Sequence, residues 1–324
     1  MTTLREFSDN LLASSDCVGM ECPREGLNNQ RIALYGLLAF CMENDKDVAI
    51  PSYCIDHTPK PFFDANGFID MLKFYNCLAK YYIKSKAFKP RILLNQIFSL
   101  DGLHGVSRNS STSSFLTFKQ ALYFGFSRLR AIADSEEHKK LFRAISFSPH
   151  LLSISTGILQ LLHINGSFNC ASLRLEKDWL RYINSKDFAG EPWEIPLFTP
   201  SNILNQIEEL CKLTDVWTCY CCVDLDDLPF TFDKFKLEAK YRGISLVTKR
   251  DFPAPRKSAY SSLVSASIDY IIALRSVAYL GSTRSTFSNL VALDTFLSGN
   301  MAHHDYIMNK VLNLPLLRTD HGLT

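Results

Sequence analysis

The feature that most restricts the fold is the alternation of helical and strand patterns between residues 200 and 290. The helical patterns cover residues 201–213, 231–241, 257–274 and the chain from 285 onward. Strand-like apolar runs separate them at residues 216–223, 244–248 and 276–280. Alternating units at this density predict a parallel, doubly wound α/β sheet, and such sheets bind ligands beyond the carboxyl ends of their strands.

The first half of the chain shows similar patterns at lower density. Apolar positions recur with a helical period over residues 28–43, where Asn28 is the expected N-cap. Val48–Ile50 is a strand-like run ended by Pro51. Further patterns predict helices at residues 67–84 and 115–133, a flexible loop at 107–114 and a strand at 169–175.

The length of the chain predicts two domains, because 324 residues exceed what a single hydrophobic core usually serves. A turn-rich segment over residues 190–200 is the candidate linker. We therefore expect one α/β domain over residues 1–185 and a second over residues 186–300. The remaining segment, residues 301–324, is expected to be helical and to pack back on the first domain.

Composition excludes several classes of protein. The chain is 47% hydrophobic and 21% charged with a net charge of +2, which is globular and gives no field that favours nucleic acid. It contains no apolar run of membrane-spanning length and no apolar segment typical of a signal peptide. Its ten cysteines lie largely in apolar patterns, which indicates free thiols in a reducing compartment. We expect a cytoplasmic protein without a membrane span.

A polar motif, Arg24-Glu-Gly-Leu-Asn-Asn-Gln-Arg31, precedes the first helical pattern. Gly26 permits a tight turn, and the helix N-terminus offers unpaired N–H groups to an anion or an acceptor oxygen. Glu25, Asn28 and Asn29 lie beside that end. An ordinary glycine loop with an asparagine cap explains the same residues equally well.

Two later segments combine a strand end with groups that bind phosphate. Arg174, after the strand pattern at 169–175, can hold a diphosphate through two N–H groups with a permanent charge. Tyr279–Ser288 is a strand, a turn of small residues and a helix start rich in hydroxyls, which together can cradle phosphate. The alternatives are a surface arginine paired with Glu176 or Asp178, and a routine Ser/Thr helix cap.

A third strand end carries paired carboxylates. Asp224 and Asp226 follow the strand pattern at 216–223 with the spacing of an Asp-x-Asp metal motif. Capping of the next helix by a loop carboxylate is the interpretation favoured by the residues alone.

Together these segments resemble the GDP-fucose O-fucosyltransferases of animals and plants and their bacterial relatives. Glu25-Gly-Leu-Asn-Asn-Gln-Arg31 is similar to the plant-type motif Gly-Gly-Leu-Asn-Gln-Gln-Arg. Ser172-Leu-Arg-Leu-Glu-Lys-Asp-Trp179 is similar to His-Leu-Arg-Phe-Glu-Lys-Asp-Met, with Ser172 in place of the family's histidine. Asp269 followed by Gly281 and Ser285-Thr-Phe287 resembles the third motif of the family. Residues 85–165 show little similarity.

The resemblance implies a GT-B architecture, in which two Rossmann-like doubly wound domains face a central cleft. It implies an inverting glycosyltransferase that needs no metal and no cofactor beyond its donor, GDP-fucose or another GDP-sugar. The acceptor would be a hydroxyl of a glycan or of a protein.

The resemblance also assigns roles to residues. Arg174 would bind the β-phosphate and stabilise charge on the leaving diphosphate, and Glu25 would be the general base. Asp269 would be the partner of guanine, and Lys249 matches a basic position of the family. The implied donor-binding set is Gly26, Asn28, Asn29, Arg174, Asp224, Asp269, Ser285, Thr286 and Phe287.

Two other functions stay open from the sequence. The loss of the family's histidine at Ser172 suggests a relative that binds a nucleotide or a glycan with weak or no transfer. The pair Asp224 and Asp226 suggests a metal-dependent sugar-nucleotide transferase.

Overall fold

The computed structural model describes ten stretches of the chain, namely residues 17–21, 25–49, 53–56, 58–61, 113–164, 166–185, 192–252, 262–282, 285–299 and 303–306. The chain divides into two compact units, Met1–His150 and Leu151–Thr324. The expected domain boundary after residue 185 falls inside the second unit. The reason is that strand Asn169–Ser172 pairs with Thr218–Cys222 and Ala278–Gly281, and so belongs to the second sheet.

Among its described residues, the first unit contains short strands and three helices. Its strands are β1 (Cys17–Met20), β2 (Asp47–Ala49), β3 (Tyr53–Asp56), β4 (Thr58–Pro61) and β5 (Ser113–Leu116). Its helices are α1 (Leu27–Glu43), α2 (Phe118–Asp134) and α3 (Glu136–Ala144). Parallel pairing gives a sheet of order β2-β1-β5, and β3 pairs antiparallel with β4. Almost every residue of α1 up to Cys41 is buried, which explains why its sequence is apolar around most of its circumference.

The described residues of the second unit form a parallel sheet and the helices around it. Its strands are β6 (Asn169–Ser172), β7 (Thr218–Cys222), β8 (Ser245–Val247), β9 (Ala278–Gly281) and β10 (His303–Tyr306). Its helices are α4 (Pro149–Ile164), α5 (Lys177–Ile183), α6 (Pro200–Thr214), α7 (Phe232–Tyr241), α8 (Ser262–Ala273) and α9 (Thr286–Leu297). Short 3₁₀ helices lie at Pro192–Leu197 and Lys249–Asp251.

The strand order of this sheet is β10-β9-β6-β7-β8, and every pairing is parallel. The chain therefore runs outward from β6 through β7 to β8, and then crosses back to place β9 on the other side of β6. This is the strand order of a Rossmann half, 3-2-1-4-5 when read from β8. Strand β6 and its neighbours β7 and β9 are buried over nearly their whole length, as expected of strands covered on both faces.

Several local expectations are confirmed and others are corrected. The alternating helices and strands between 200 and 290 occur where the patterns predict them. Helix α1 starts at Leu27 with Gly26 as its N-cap, so the prediction that Asn28 caps it is wrong. Residues 303–306 form strand β10 rather than part of a helical segment, because they pair with β9. The helix predicted at 67–84, most of the loop predicted at 107–114 and residues 307–324 lie outside the described residues.

Six cysteines in the described part of the chain are buried and free, namely Cys41, Cys170, Cys211, Cys219, Cys221 and Cys222. Burial in a low-dielectric interior raises the pKa of the Cys170 thiol well above its ordinary value, so this thiol stays protonated. No helix among the described residues combines the length and the apolar character that a membrane crossing would need.

Candidate functional site

The strand order locates the place where a ligand would bind in the second unit. Parallel sheets of this kind form a crevice at the carboxyl ends of the two strands where the chain reverses its direction of travel across the sheet. Here those strands are β6 and β9. Arg174 lies two residues beyond the end of β6, and Ser282 follows β9 directly. The two segments singled out for phosphate binding therefore flank the same crevice.

Arg174 is held in an uncommon conformation. Its φ is 49°, the left-handed region, which typically costs a residue other than glycine about 1–3 kcal/mol. Its guanidinium carbon lies 4.1 Å from the centroid of the Trp179 ring. The Nε of Arg174 is buried and has no hydrogen-bond partner among the described residues. A permanent charge with an unused donor is what a diphosphate would engage.

Glu176 joins the loop after β6 to the loop after β7. Its Oε1 accepts a hydrogen bond of 3.2 Å from the backbone N–H of Asp224. The backbone N–H of Lys177 donates to the carbonyl oxygen of Asp227 at 2.9 Å, which ties the same two loops again. Burial raises the pKa of Glu176, and this effect exceeds the lowering by the nearby Arg174 charge. The loop that contains Arg174 is therefore fixed by contacts with its neighbour.

The turn between β9 and α9 is organised around Ser288. Its Oγ accepts a hydrogen bond of 3.0 Å from the backbone N–H of Ser282 and lies 3.2 Å from the Tyr279 hydroxyl. Ser285 is the N-cap of α9, as its extended backbone and its side-chain bond to the Ser288 N–H show. The Ser282 Oγ is buried and has no partner among the described residues. This leaves a hydroxyl and a helix N-terminus available to an anion.

Thr286 and Phe287 form the first turn of α9 and are partly exposed. The Phe287 ring packs edge-on against the Tyr270 ring, with centroids 5.4 Å apart. Residues 283 and 284, within the same predicted motif, lie outside the described residues. The prediction that Ser285, Thr286 and Phe287 hold phosphates remains a prediction, and their position at the start of α9 is compatible with it.

Asp269 is engaged within the protein. One carboxylate oxygen accepts from the Tyr220 hydroxyl at 2.7 Å and the other from the Lys249 ammonium at 2.5 Å. Lys249 also donates to the carbonyl oxygen of Val223 at 3.1 Å. Burial raises the pKa of Asp269 even though Lys249 and Tyr220 act in the opposite direction. The guanine-binding role stays a prediction, and the immediate role that the geometry gives Asp269 is to hold Lys249 at the carboxyl end of β7.

The carboxylates after β7 have partners within the protein. The Asp224 Oδ1 accepts from the backbone N–H of Asp226 at 3.1 Å, and the Asp226 carboxylate pairs with Arg250. Across the described residues, no three His, Cys, Asp or Glu side chains come together as a metal-ligand set. Asp224 does lie beside the Arg174 loop, through its bond to Glu176.

The predicted residues of the first unit lie together at the start of α1. Glu25 is exposed, and its φ of 72° means that the left-handed turn falls on Glu25 rather than on Gly26, whose φ is −68°. The turn is stabilised because Gln30 donates to the Glu25 carbonyl at 2.9 Å and Asn29 donates to the Glu25 Oε2 at 2.8 Å. A carboxylate held in one orientation at a helix N-terminus can serve as a base.

Asn28 is buried in the same turn. Its Oδ1 accepts from Arg31 at 3.3 Å, and its Nδ2 has no partner among the described residues. The Arg31 guanidinium lies 5.3 Å from the centroid of the Phe142 ring and 5.0 Å from that of Phe147. The Asn28 amide therefore has a bonded oxygen and a buried nitrogen without a partner among the described residues.

Sequence reasoning did not single out Trp179, Ser282 or Tyr279, although the first contacts Arg174 and the other two build the turn after β9. Each lies inside a segment that it did single out. For Ser282 and Trp179 the signal that could have found them is position, since Ser282 follows a strand end and Trp179 lies in the first turn of the following helix.

Comparison with known proteins gives a match in structure and none in sequence. No protein-family model matches the chain, and no curated protein matches it by sequence. The crystal structure of POFUT1 in complex with GDP matches with a TM-score of 0.55 over 90% of this chain and 97% of that chain, at 14% identity. The chain has the fold of POFUT1. The POFUT1 complex with GDP-fucose matches with a TM-score of 0.52 at 14% identity, over 87% of this chain and 94% of that one.

The likeness to POFUT1 covers most of the chain and therefore includes segments from both units. Together with the parallel sheet of the second unit, it confirms the predicted α/β class and agrees with a GT-B architecture. The arrangement of two domains around a central cleft stays a prediction.

Proposed function

We propose that the chain is a glycosyltransferase that uses a GDP-sugar, with GDP-fucose as the expected donor. The observation that carries the proposal is the convergence of phosphate-binding groups on the β6–β9 crevice. Arg174 lies on one side with an unpartnered Nε, and on the other side Ser282 and the start of α9 offer a hydroxyl and backbone N–H groups. The GDP and GDP-fucose complexes of POFUT1, which has the same fold, support the choice of donor.

In the proposed reaction Arg174 neutralises charge that develops on the diphosphate as the glycosidic bond breaks. The N-terminus of α9, with Ser285, Thr286 and the backbone of Phe287, binds the phosphates. Asp224 and Asp269 complete the donor side, the former beside the Arg174 loop and the latter through Lys249.

We assign the acceptor chemistry to the start of α1. The Glu25 carboxylate takes the proton of an acceptor hydroxyl while the hydroxyl oxygen attacks the anomeric carbon and GDP leaves. A single displacement of this kind inverts the anomeric configuration. The Asn28 and Asn29 amides, with Gly26 at the turn, would orient the sugar or the acceptor. A hydroxyl of a glycan or of a protein is the proposed acceptor.

The donor proposal is tested by ligand-induced stabilisation. A ligand that binds only the folded state at a hundred times its Kd raises the free energy of unfolding by about 2.7 kcal/mol. We expect GDP and GDP-fucose to raise Tm, and UDP, UDP-sugars and guanosine to do so far less. A preference for uridine nucleotides would refute the assignment of the donor.

Turnover separates the proposal from the two other functions. Transfer from GDP-fucose should survive excess EDTA, because Arg174 is proposed to be the charge acceptor. Loss of transfer in EDTA and its recovery with manganese would instead support Asp224 and Asp226 as metal ligands. Binding of GDP without transfer or hydrolysis would support a binding protein.

A further inference from the structure

The Arg174 guanidinium rests on an aromatic ring rather than on a carboxylate. Its carbon is 4.1 Å from the centroid of Trp179, a distance typical of a close cation–π contact. The Trp179 side chain is only 6% exposed, so the contact is shielded from water. Within the described part of the chain, the Nε of Arg174 has no hydrogen-bond partner.

Trp179 is a rigid support for that charge. Its ring packs against Tyr182 with centroids 5.2 Å apart and edge-on against Phe198 at 5.7 Å. Its backbone lies in the first turn of α5, where the N–H of Asp178 donates to the Asp227 carboxylate at 3.2 Å. The ring is thus fixed by its packing in the core, and the backbone next to it is bonded to the loop after β7.

The two carboxylates closest to Arg174 in sequence, those of Glu176 and Asp178, each accept a backbone hydrogen bond, and the Glu176 charge also interacts with that of Arg174. Glu176 accepts from the Asp224 backbone, and the Asp178 Oδ1 accepts from the Trp179 backbone at 2.6 Å. A guanidinium paired with either of them would have its charge and its N–H groups already engaged. A ring face attracts the cation through its quadrupole and occupies none of the N–H donors.

We infer that Trp179 is a positioning residue for the donor diphosphate, which holds the Arg174 guanidinium by its face and leaves the guanidinium N–H groups to the phosphate oxygens. The inference rests on the proposed function, since it names the device that prepares Arg174 for the donor. Trp179 is thereby added to the proposed donor site as a residue that contacts neither donor nor acceptor and acts through Arg174.

Graded substitutions with two ligands test this role. Trp179→Phe keeps an aromatic face and should weaken GDP binding about twofold to fivefold, whereas Trp179→Leu should weaken it about tenfold to thirtyfold, the range of a shielded cation–π contact. Guanosine, which lacks phosphates, should bind every variant alike. Phe235→Leu, in the same hydrophobic core but packed against Phe230 and Phe232, is the control for lost core packing and should leave GDP affinity unchanged.

Two results would overturn the inference. Equal GDP affinity in wild type, Trp179→Phe and Trp179→Leu would show that the ring does not prepare Arg174. A parallel loss of GDP and guanosine affinity would show that Trp179 only supports the fold. Trp179→Phe keeps the test decisive if Trp179→Leu does not fold.

Fluorescence tests the contact without any nucleotide. In a background of Trp193→Phe and Trp217→Phe, Trp179 is the single tryptophan of the chain, because the sequence contains three. Arg174→Ala should change its emission intensity, and pyrophosphate should change it only while Arg174 is present. Unchanged emission in Arg174→Ala would overturn the inference and leave the donor proposal intact. Failure of the wild type to bind GDP or pyrophosphate would overturn both.

Discussion

A single methyl group added at Gly281 should damage both the fold and the donor site. A Cβ built there would lie 2.6 Å from the Ser288 Cβ, 2.7 Å from the Tyr279 Cε1 and 2.8 Å from the Ser288 Oγ. Carbon atoms at rest lie about 3.5–4.0 Å apart, so α9 would have to move away from β9 by about 1 Å. Overpacking of this kind typically costs about 1–3 kcal/mol.

The same movement would break the contacts that shape the turn. Ser288 links the Ser282 N–H to the start of α9, and the Tyr279 hydroxyl lies against it. A displacement of about 1 Å in groups that position a substrate can reduce turnover about a hundredfold. We therefore expect Gly281→Ala to lose donor turnover by more than its loss of stability alone would explain.

Thermal unfolding measures the loss of stability, and a donor-turnover assay together with GDP titration measures the damage to the site. A loss of about 2 kcal/mol should lower Tm by roughly 4–8 °C in a unit of this size. Gly157→Ala is the matched control, because Gly157 lies in helix α4 with nothing within 4 Å of its added Cβ. It should stabilise the helix by about 0.5–1 kcal/mol and leave GDP affinity unchanged. The reasoning is refuted if Gly281→Ala unfolds and binds GDP as the wild type does.

Three further outcomes are expected. Arg174→Ala should lower both transfer and donor hydrolysis about a hundredfold or more, which is the scale of losing one preorganised charge donor. Arg174→Lys should restore little activity, because the point charge of an ammonium cannot replace the planar guanidinium. Steady-state kinetics with labelled donor would check both. Glu25→Gln should depress transfer and leave GDP affinity nearly intact; an equal fall in GDP affinity, measured by titration, would contradict its assignment to the acceptor. Because the folded-state pKa of Glu176 is raised, its contribution to stability is present below its ordinary pKa of 4.5 and is lost as pH rises through the folded-state value. Glu176→Gln, which keeps an oxygen for the Asp224 N–H, should therefore raise Tm at pH 7 and flatten the fall in Tm that the wild type shows above pH 4.5, as followed by thermal unfolding across pH.

The alternation of patterns after residue 200 was enough to predict most of the second sheet. The runs at 216–223 and 244–248 contain β7 and β8, and the run at 276–280 covers all of β9 but its last residue, because strands covered on both faces must be apolar almost throughout. The strand pattern at 169–175 was also correct as an element. Its assignment to the first domain was wrong, because the periodicity of a short segment carries no information on the sheet that the strand joins.

Other features depend on tertiary structure and leave little trace in the sequence. Strand β10 is four residues long and contains two histidines and an aspartate, so its pattern does not suggest a strand. Pairing with β9 supplies what the local pattern lacks. The left-handed conformation at Glu25 is similarly hard to predict. The sequence points to Gly26 as the left-handed residue, but the hydrogen bonds from Asn29 and Gln30 stabilise that conformation at Glu25 instead.

The two left-handed residues at the candidate sites make the strongest physical link between fold and function. Glu25 and Arg174 both have positive φ, at 72° and 49°, and both are the residues to which the chemistry is assigned. A residue other than glycine keeps such a conformation only where its surroundings fix it, and the cost is about 1–3 kcal/mol each. At Glu25 the surroundings are the Asn29 and Gln30 side chains, and at Arg174 they are the Trp179 ring and the loop ties of Glu176. Glycine at either position would relieve the backbone and remove the reacting group, so Glu25→Gly and Arg174→Gly should be no less stable than the corresponding alanine variants while losing activity to the same extent.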